Sequence, residues 1–117
     1  MAAGKYLVQV EQGSVFTRYL TWKDSAGNPI NITGYTARMF VKQTYEDTVN
    51  LFEMTTENGR ISLGGVAGTI NLYISANDTD DLEFGSYVYD LKMVPANTNN
   101  ATRILQGEFI VAPQVTV

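Results

Sequence analysis

Apolar and polar residues alternate with a period of two along almost the whole chain, which is the pattern of half-buried β-strands. After Gly85, for example, Tyr87, Tyr89, Leu91 and Met93 alternate with mostly polar residues. The same alternation, interrupted by Gly, Asn, Asp and Pro turns, predicts further strands at residues 5–11, 15–22, 35–44, 49–54, 61–63, 69–75 and 102–111.

Helical character is confined to residues 75–82, where Ser75 or Asn77 is a suitable cap and the first turn is acidic. Seven to eight short strands at intervals of roughly ten residues are typical of an antiparallel β-sandwich or barrel. No linker or shift in composition divides the chain, so residues 1–117 are expected to form one domain.

The residue types that are absent from the chain exclude several classes of function. The 117 residues include no cysteine and no histidine, which removes thiolate nucleophiles, the commonest general base and the usual catalytic triads. The eight basic residues are scattered singly in a chain of net charge −4, unlike a nucleic-acid groove. No apolar run approaches the ~20 residues of a membrane span. We therefore expect no enzyme activity, no cofactor, and neither a nucleic acid nor a membrane as partner.

Two segments invite a ligand site and are better explained by local structure. The first is the acidic cluster in and directly after the predicted helix, which comprises Asp78, Asp80, Asp81 and Glu83. These residues offer oxygen ligands for calcium, but their spacing lacks the features of an EF-hand loop. A hydrated, acidic helix turn explains them better. Residues 64–68 are rich in glycine, but a strand follows them where a phosphate-binding loop needs a helix. We assign no catalytic, cofactor or metal residue.

The seven tyrosines are the other conspicuous feature. We expect the rings of Tyr87 and Tyr89 to pack in the core with their hydroxyls at the rim, as in a tyrosine corner. Tyr45 stands in a loop before two acidic residues and is therefore expected to be exposed. It is the best single candidate for contact with a partner.

Several motifs resemble those of tailed-phage virion proteins. They are Glu11-Gln12-Gly13, Leu20-Thr21-Trp22-Lys23-Asp24, Thr33-Gly34-Tyr35, Gly85-x-Tyr87-x-Tyr89-Asp90-Leu91 and Arg103-x-Leu105-x-Gly107. The chain is similar to the Ig-like N-terminal domain of phage upper baseplate proteins, and to short stand-alone virion proteins of phages that include cyanophages. The similarity extends from about Lys5 to Val117.

This resemblance implies an Ig-like β-sandwich and a non-enzymatic structural protein of the virion, assembled in the host cytoplasm. Its partners would be other tail, baseplate, fibre or capsid proteins and further copies of itself. The implied role is that of a tail, baseplate or fibre adaptor, and the alternative is a capsid decoration protein. A different class of function, a carbohydrate-binding module, would use Tyr45, Tyr73 or Trp22, although we expect Trp22 to be buried at its strand end.

The terminal strands are expected to be sheet edges, which are natural places for another chain to bind. These strands comprise residues 7–10 and 109–117. With the exposed tyrosine they give the candidate contact residues Leu7, Val8, Gln9, Val10, Tyr45, Phe109, Val115 and Val117.

Overall fold

The computed structural model describes residues 4–96 and 101–115. Its strands are β1 (Gly4–Lys5), β2 (Val8–Glu11), β3 (Phe16–Thr21), β4 (Thr36–Lys42), β5 (Phe52–Thr55), β6 (Ile61–Leu63), β7 (Thr69–Ile74), β8 (Gly85–Val94) and β9 (Thr102–Ala112). A short helix, α1 (Ala76–Asp80), lies between β7 and β8, and a 3-10 turn (Gly65–Ala67) precedes β7. The predicted all-β class is confirmed.

The strands form two sheets. The large sheet has the order β1-β9-β8-β4-β5, with β2 also paired to β9, and the small sheet has the order β3-β7-β6. Both β1 and β2 run parallel to β9, so the large sheet is mixed and the expectation of purely antiparallel pairing is wrong. The expectation that the last strand is an edge is also wrong, because β9 lies between β8 and the first two strands.

The facing sides of the two sheets share one apolar core. Strand alternation correctly predicted the inward residues of β8, where Tyr87, Tyr89, Leu91 and Met93 are all buried. An irregularity in the β8–β9 pairing, where Leu91 faces Leu105 but Lys92 faces Arg103, lets both Ile104 and Leu105 pack against this core. One extra residue on one strand is the hallmark of a β-bulge.

A close backbone approach holds the N-terminal strands beside β9. The Tyr6 amide donates to the Gln106 carbonyl (3.0 Å), and the Tyr89 hydroxyl donates to the Tyr6 carbonyl (2.6 Å). A Cβ atom at position 107 would lie 2.5 Å from the Tyr6 carbonyl oxygen, a distance that a side chain does not tolerate. Gly107 therefore permits this pairing.

Arginines stand at both open margins between the sheets. Arg18 is on the inward face of β3, opposite Leu72, and its guanidinium lies 5.9 Å from the Tyr6 ring centroid and 5.7 Å from that of Phe16. Arg60 stacks 4.5 Å from the Phe52 ring centroid at the other margin. Each guanidinium thus lies over aromatic rings, in cation–π contact, and the Arg60 guanidinium also donates to the Glu53 carbonyl (2.9 Å).

Helix α1 connects the two sheets and is capped as the sequence predicted. The Ser75 hydroxyl accepts a hydrogen bond from the Asp78 amide (3.2 Å). Thr79 is fully buried and its hydroxyl donates to the Ser14 carbonyl (2.8 Å). Arg60 pairs with Asp78 (2.9 Å), and this hydrogen bond holds the pKa of the carboxyl below its ordinary value. The helix is therefore held to the segment before β3 through Ser14 and to the segment before β6 through Arg60.

Candidate interaction surfaces

Three of the predicted contact residues lie in the core. Val8, Val10 and Phe109 are each at most 1% exposed, because they occupy the inward positions of β2 and β9, where Val8 is directly beside Phe109. Their side chains offer no surface to a partner. In the terminal strands, the predicted contact must therefore rest on the outward residues and on the backbone of the β2 edge.

Of the remaining predicted residues, those that the structure describes are at the surface. Leu7 is 53% exposed, Val115 is 97% exposed, and Gln9 is exposed on the outward face of β2. Val117 lies outside the described residues. Leu7 immediately precedes β2 and Gln9 belongs to it, so one apolar and one polar side chain are exposed on a strand whose single pairing among the described strands is with β9.

The loop between β4 and β5, residues 43–51, carries three large exposed apolar side chains. Tyr45 is 57% exposed, as predicted, and Val49 and Leu51 in the same loop are also exposed. The Tyr45 hydroxyl lies 3.5 Å from the Gly107 carbonyl, so the ring bends back over the outer face of the large sheet. Large apolar side chains clustered on one loop are typical of a contact surface.

A groove of about 180 Å³ lies beneath Tyr45 on that outer face. Its apolar walls are Tyr45, Phe40 and Val88, and its charged rim comprises Arg38, Lys42, Lys92 and Asp90. Three cations and one carboxylate thus surround the groove, in a chain whose net charge is −4. We call this site the basic groove.

The groove continues into a line of cations that sequence reasoning missed. Arg38 is directly opposite Lys92 across β4 and β8, and Lys92 is directly opposite Arg103 across β8 and β9. The sequence places these residues far apart, and only the strand register brings them together. Like charges directly opposite each other in a sheet are unfavourable. Among the described residues, Arg103 alone of these three has an ion-pair partner, which is Asp90 at 3.7 Å.

The acidic residues around α1 have separate environments. Asp78 pairs with Arg60, and Asp80 accepts a hydrogen bond from the Gln114 side chain. Asp81, Glu83 and the neighbouring Phe84, which is 65% exposed, face solvent. Asp80, Asp81, Glu83 and Phe84 are called the acidic corner below. No group of acidic residues in the described ranges has the geometry of a metal site.

The residues proposed for sugar binding do not come together. Tyr45 lies in the loop between β4 and β5, over the large sheet, whereas Tyr73 belongs to the small sheet. Trp22 is half-buried and packs edge-on against Tyr35, with ring centroids 6.2 Å apart. Sequence reasoning overlooked Tyr19, which is 76% exposed. Thr17 pairs with Tyr73 and Tyr19 pairs with Asn71, so the two tyrosines are diagonal neighbours on the outer face of the small sheet.

The glycine-rich segment is structural, as the absence of a following helix indicated. Gly68 has a φ of +66° and lies where a Cβ atom would be 2.8 Å from the Ile30 carbonyl oxygen. Its own carbonyl accepts a hydrogen bond from the Trp22 amide (2.8 Å), and the Gly65 carbonyl accepts one from Ile32 (3.0 Å). These glycines fasten the β3–β4 connection to the small sheet.

No protein-family model matches the chain, and a search of curated proteins gives no significant match. Across residues 4–96 and 101–115, the structure has no helix that is long and apolar enough to cross a membrane.

Proposed function

We propose that this chain is a non-enzymatic structural protein of a phage virion, present in several copies as a tail, baseplate or fibre adaptor. Its partners would be other virion proteins and further copies of itself. The motif resemblance, from Glu11-Gln12-Gly13 to Gly85-x-Tyr87-x-Tyr89-Asp90-Leu91, supports the class. The distribution of exposed apolar side chains supports a role in contacts between proteins.

We further propose that the two sheets form an Ig-like sandwich. The small sheet, in the order β3-β7-β6, would correspond to strands B, E and D of the Ig fold. In the large sheet, β4, β8 and β9 would correspond to strands C, F and G. Tyr87 supports this assignment, because its hydroxyl donates to the Glu83 carbonyl (2.9 Å) four residues upstream, as in a tyrosine corner. The parallel pairing of the first strands with the last is a departure from the purely antiparallel arrangement.

The observation that carries the functional proposal is the loop of residues 43–51. Solvation of Tyr45, Val49 and Leu51 in one short loop is unfavourable, and binding to another protein would remove this apolar surface from water. The loop joins two strands of a sheet whose core positions are fully buried. A rigid sheet that presents an apolar loop is suited to holding a neighbouring protein in place.

Incorporation into particles tests the proposal. Cells producing phage would supply either the wild-type chain or the triple variant Tyr45→Ser, Val49→Ser and Leu51→Ser, and the copies per purified particle would be counted by quantitative mass spectrometry. We expect the triple variant to be depleted at least about tenfold, because a total loss of about 1.4 kcal/mol from the three apolar contacts is sufficient for that change. Val66→Ser is the control, because Val66 is 72% exposed on the 3-10 turn beside the small sheet. Equal incorporation of all three proteins would contradict the role of the loop.

The outer face of the small sheet favours a second candidate function, carbohydrate binding. Tyr19 and Tyr73 are surrounded there by uncharged hydrogen-bonding side chains, namely Thr17, Thr21, Ser62, Thr69 and Asn71. Aromatic rings beside neutral polar groups suit the faces and hydroxyls of a sugar. A glycan array probed with the wild-type chain and with Tyr19→Ala would test this candidate, and binding that is lost in the variant would support it. An array without signal would exclude it for the glycans present.

A further inference from the structure

Two surfaces of the chain are complementary to each other and too far apart to meet within one molecule. The first is the basic groove, lined by Arg38, Lys42 and Lys92 around the apolar side chains of Phe40 and Val88. The second is the acidic corner, where three exposed carboxylates lie within four residues of the exposed Phe84 in the chain. The groove has three cations and one carboxylate, Asp90, whereas the charged residues of the acidic corner are all carboxylates. The two surfaces therefore have opposite net charges.

Strand β8 separates the two surfaces. Phe84 immediately precedes this strand, Val88 at the near end of the groove lies four residues further along it, and Lys92 lies eight residues further. Lys42 is directly opposite Val88. At about 3.3 Å per residue these separations are on the order of 13 and 26 Å, both longer than the ~8 Å screening length at physiological ionic strength. The carboxylates of the acidic corner therefore do not neutralise the groove of the same chain.

The groove also has the dimensions that an aromatic ring requires. Its volume is about 180 Å³, and a cavity of about 150 Å³ accommodates benzene. Phe40 and Tyr45 at its walls offer ring faces and edges to an entering aromatic side chain. Phe84 supplies such a side chain, with Glu83 next to it and Asp81 nearby to meet the lysines and the arginine.

We infer that the acidic corner of one copy binds in the basic groove of the next copy, with Phe84 beneath Tyr45 and the carboxylates facing Arg38, Lys42 and Lys92. This inference rests on the proposed function, because it names the contact through which the copies of an adaptor would assemble. The two surfaces differ, so the contact is heterologous and repeats head to tail, giving a ring where the rotation closes. Arg38 and Lys92, for which the described part of one chain provides no ion-pair partner, then gain an anionic partner from the next copy.

A charge-swap experiment tests the inference on the full chain. The groove variant carries Arg38→Glu and Lys92→Glu, and the corner variant carries Asp81→Lys and Glu83→Lys. Self-association is measured by sedimentation velocity over a wide range of protein concentrations, at low and at high salt. Circular dichroism and thermal unfolding confirm that each variant is folded, as expected for substitutions at exposed positions.

The expected results form a distinctive pattern. The wild-type chain associates and does so less at high salt, and each variant alone associates at least about tenfold more weakly, because both of its surfaces then carry the same sign. An equimolar mixture of the two variants associates again, and so does the chain that carries all four substitutions. Lys23→Glu and Glu57→Lys, which reverse exposed charges outside both surfaces, leave association unchanged.

Two results would overturn the inference. One is a wild-type chain that stays monomeric at every concentration, and the other is a mixture of variants that fails to associate when the wild-type chain does. In either case the groove would receive a different acidic protein or none. The presence of the chain in virions is measured separately, so the proposed function can survive this failure, and a chain absent from virions can still pass the charge-swap test.

Discussion

The hydroxyl of Tyr89 donates a 2.6 Å hydrogen bond to the main-chain carbonyl of Tyr6. Tyr89 belongs to the middle of β8 and is only 2% exposed, whereas Tyr6 links the two short N-terminal strands that pair with β9. A single buried hydroxyl thus connects the N-terminal segment to β8, although β9 lies between them in the sheet. This bond, with the gap left by Gly107, explains how the N-terminal segment is held in parallel register.

Tyr89→Phe should lower the free energy of unfolding by about 1–2 kcal/mol, because it leaves the Tyr6 carbonyl without its buried donor. Urea denaturation followed by circular dichroism measures this change. Tyr73→Phe is the matched control: Tyr73 is 41% exposed, so its loss of a hydroxyl should change the value by less than about 0.5 kcal/mol. Equal effects of the two substitutions would show that the hydrogen bond to Tyr6 is not the cause.

Alkaline pH should destabilise the fold through the same side chain. Burial raises the pKa of Tyr89 above its ordinary value of 10.0, and burial also raises the pKa of Tyr87. A raised pKa in the folded state means that the unfolded state loses its proton first, so stability is intact below pH 10 and falls as the pH rises above it. The slope is up to about 1.4 kcal/mol per pH unit for one such group. The free energy of unfolding, measured by denaturation between pH 9 and pH 11.5, should fall more steeply with pH for the wild-type chain than for Tyr89→Phe.

Acidic pH should also destabilise the fold, through loss of the ion pair beside α1. The hydrogen bond from Arg60 lowers the pKa of Asp78 below 3.8, so its contribution to stability is present above that value and is lost as the pH falls through the folded-state pKa. Asp78→Asn should therefore show a smaller loss of stability between pH 5 and pH 2.5 than the wild-type chain. Asp81→Asn, at an exposed position in no ion pair of the described residues, should retain the wild-type loss. Parallel curves for the wild-type chain and Asp78→Asn would contradict this account.

Gly107→Ala should detach the N-terminal strands more than it disturbs the rest of the fold. The added methyl group would lie 2.5 Å from the Tyr6 carbonyl oxygen, and we expect a loss of about 2 kcal/mol. Hydrogen exchange should accelerate chiefly in the amides of β2. Gly27→Ala is the control, since its φ of +87° is unfavourable for alanine but its surroundings are open, so a cost of about 1 kcal/mol without faster exchange in β2 is expected.

Arg18 should protect the edge of the small sheet from pairing with other chains. An inward-pointing charge on an edge strand prevents the addition of another strand, and Arg18 has this position on β3. Arg18→Leu should aggregate within hours at 37 °C, as followed by light scattering, whereas Arg18→Lys should remain in solution because the charge is preserved. Aggregation of both variants would assign the effect to lost packing against Tyr6 and Phe16.

Local patterns predicted local structure well. The period-two alternation correctly placed Tyr87 and Tyr89 in the core, and the Ser75 cap and the exposure of Tyr45 are also confirmed. These features depend on a few neighbouring residues, whose side-chain direction is fixed by the strand or the helix turn. Arg18 interrupts the apolar face of β3 that carries Phe16 and Leu20, and the structure places its guanidinium over the rings of Tyr6 and Phe16.

Features that depend on strand order could not be predicted. The parallel pairing of β2 with β9 joins residues about a hundred positions apart, and no local signal specifies it. For the same reason β9 was wrongly expected to be an edge, and Val8, Val10 and Phe109 were offered as contacts although they are buried. The row of Arg38, Lys92 and Arg103 was invisible because only register aligns them.

The most direct test of the central claim is the number of copies of this chain per purified phage particle, measured by quantitative mass spectrometry against the major capsid subunit. The account predicts that the chain is present at a small ratio, equivalent to one or a few rings on the tail. A ratio near one per capsid subunit would contradict the adaptor role and indicate a capsid decoration protein. Absence from the particle would contradict the virion proposal altogether.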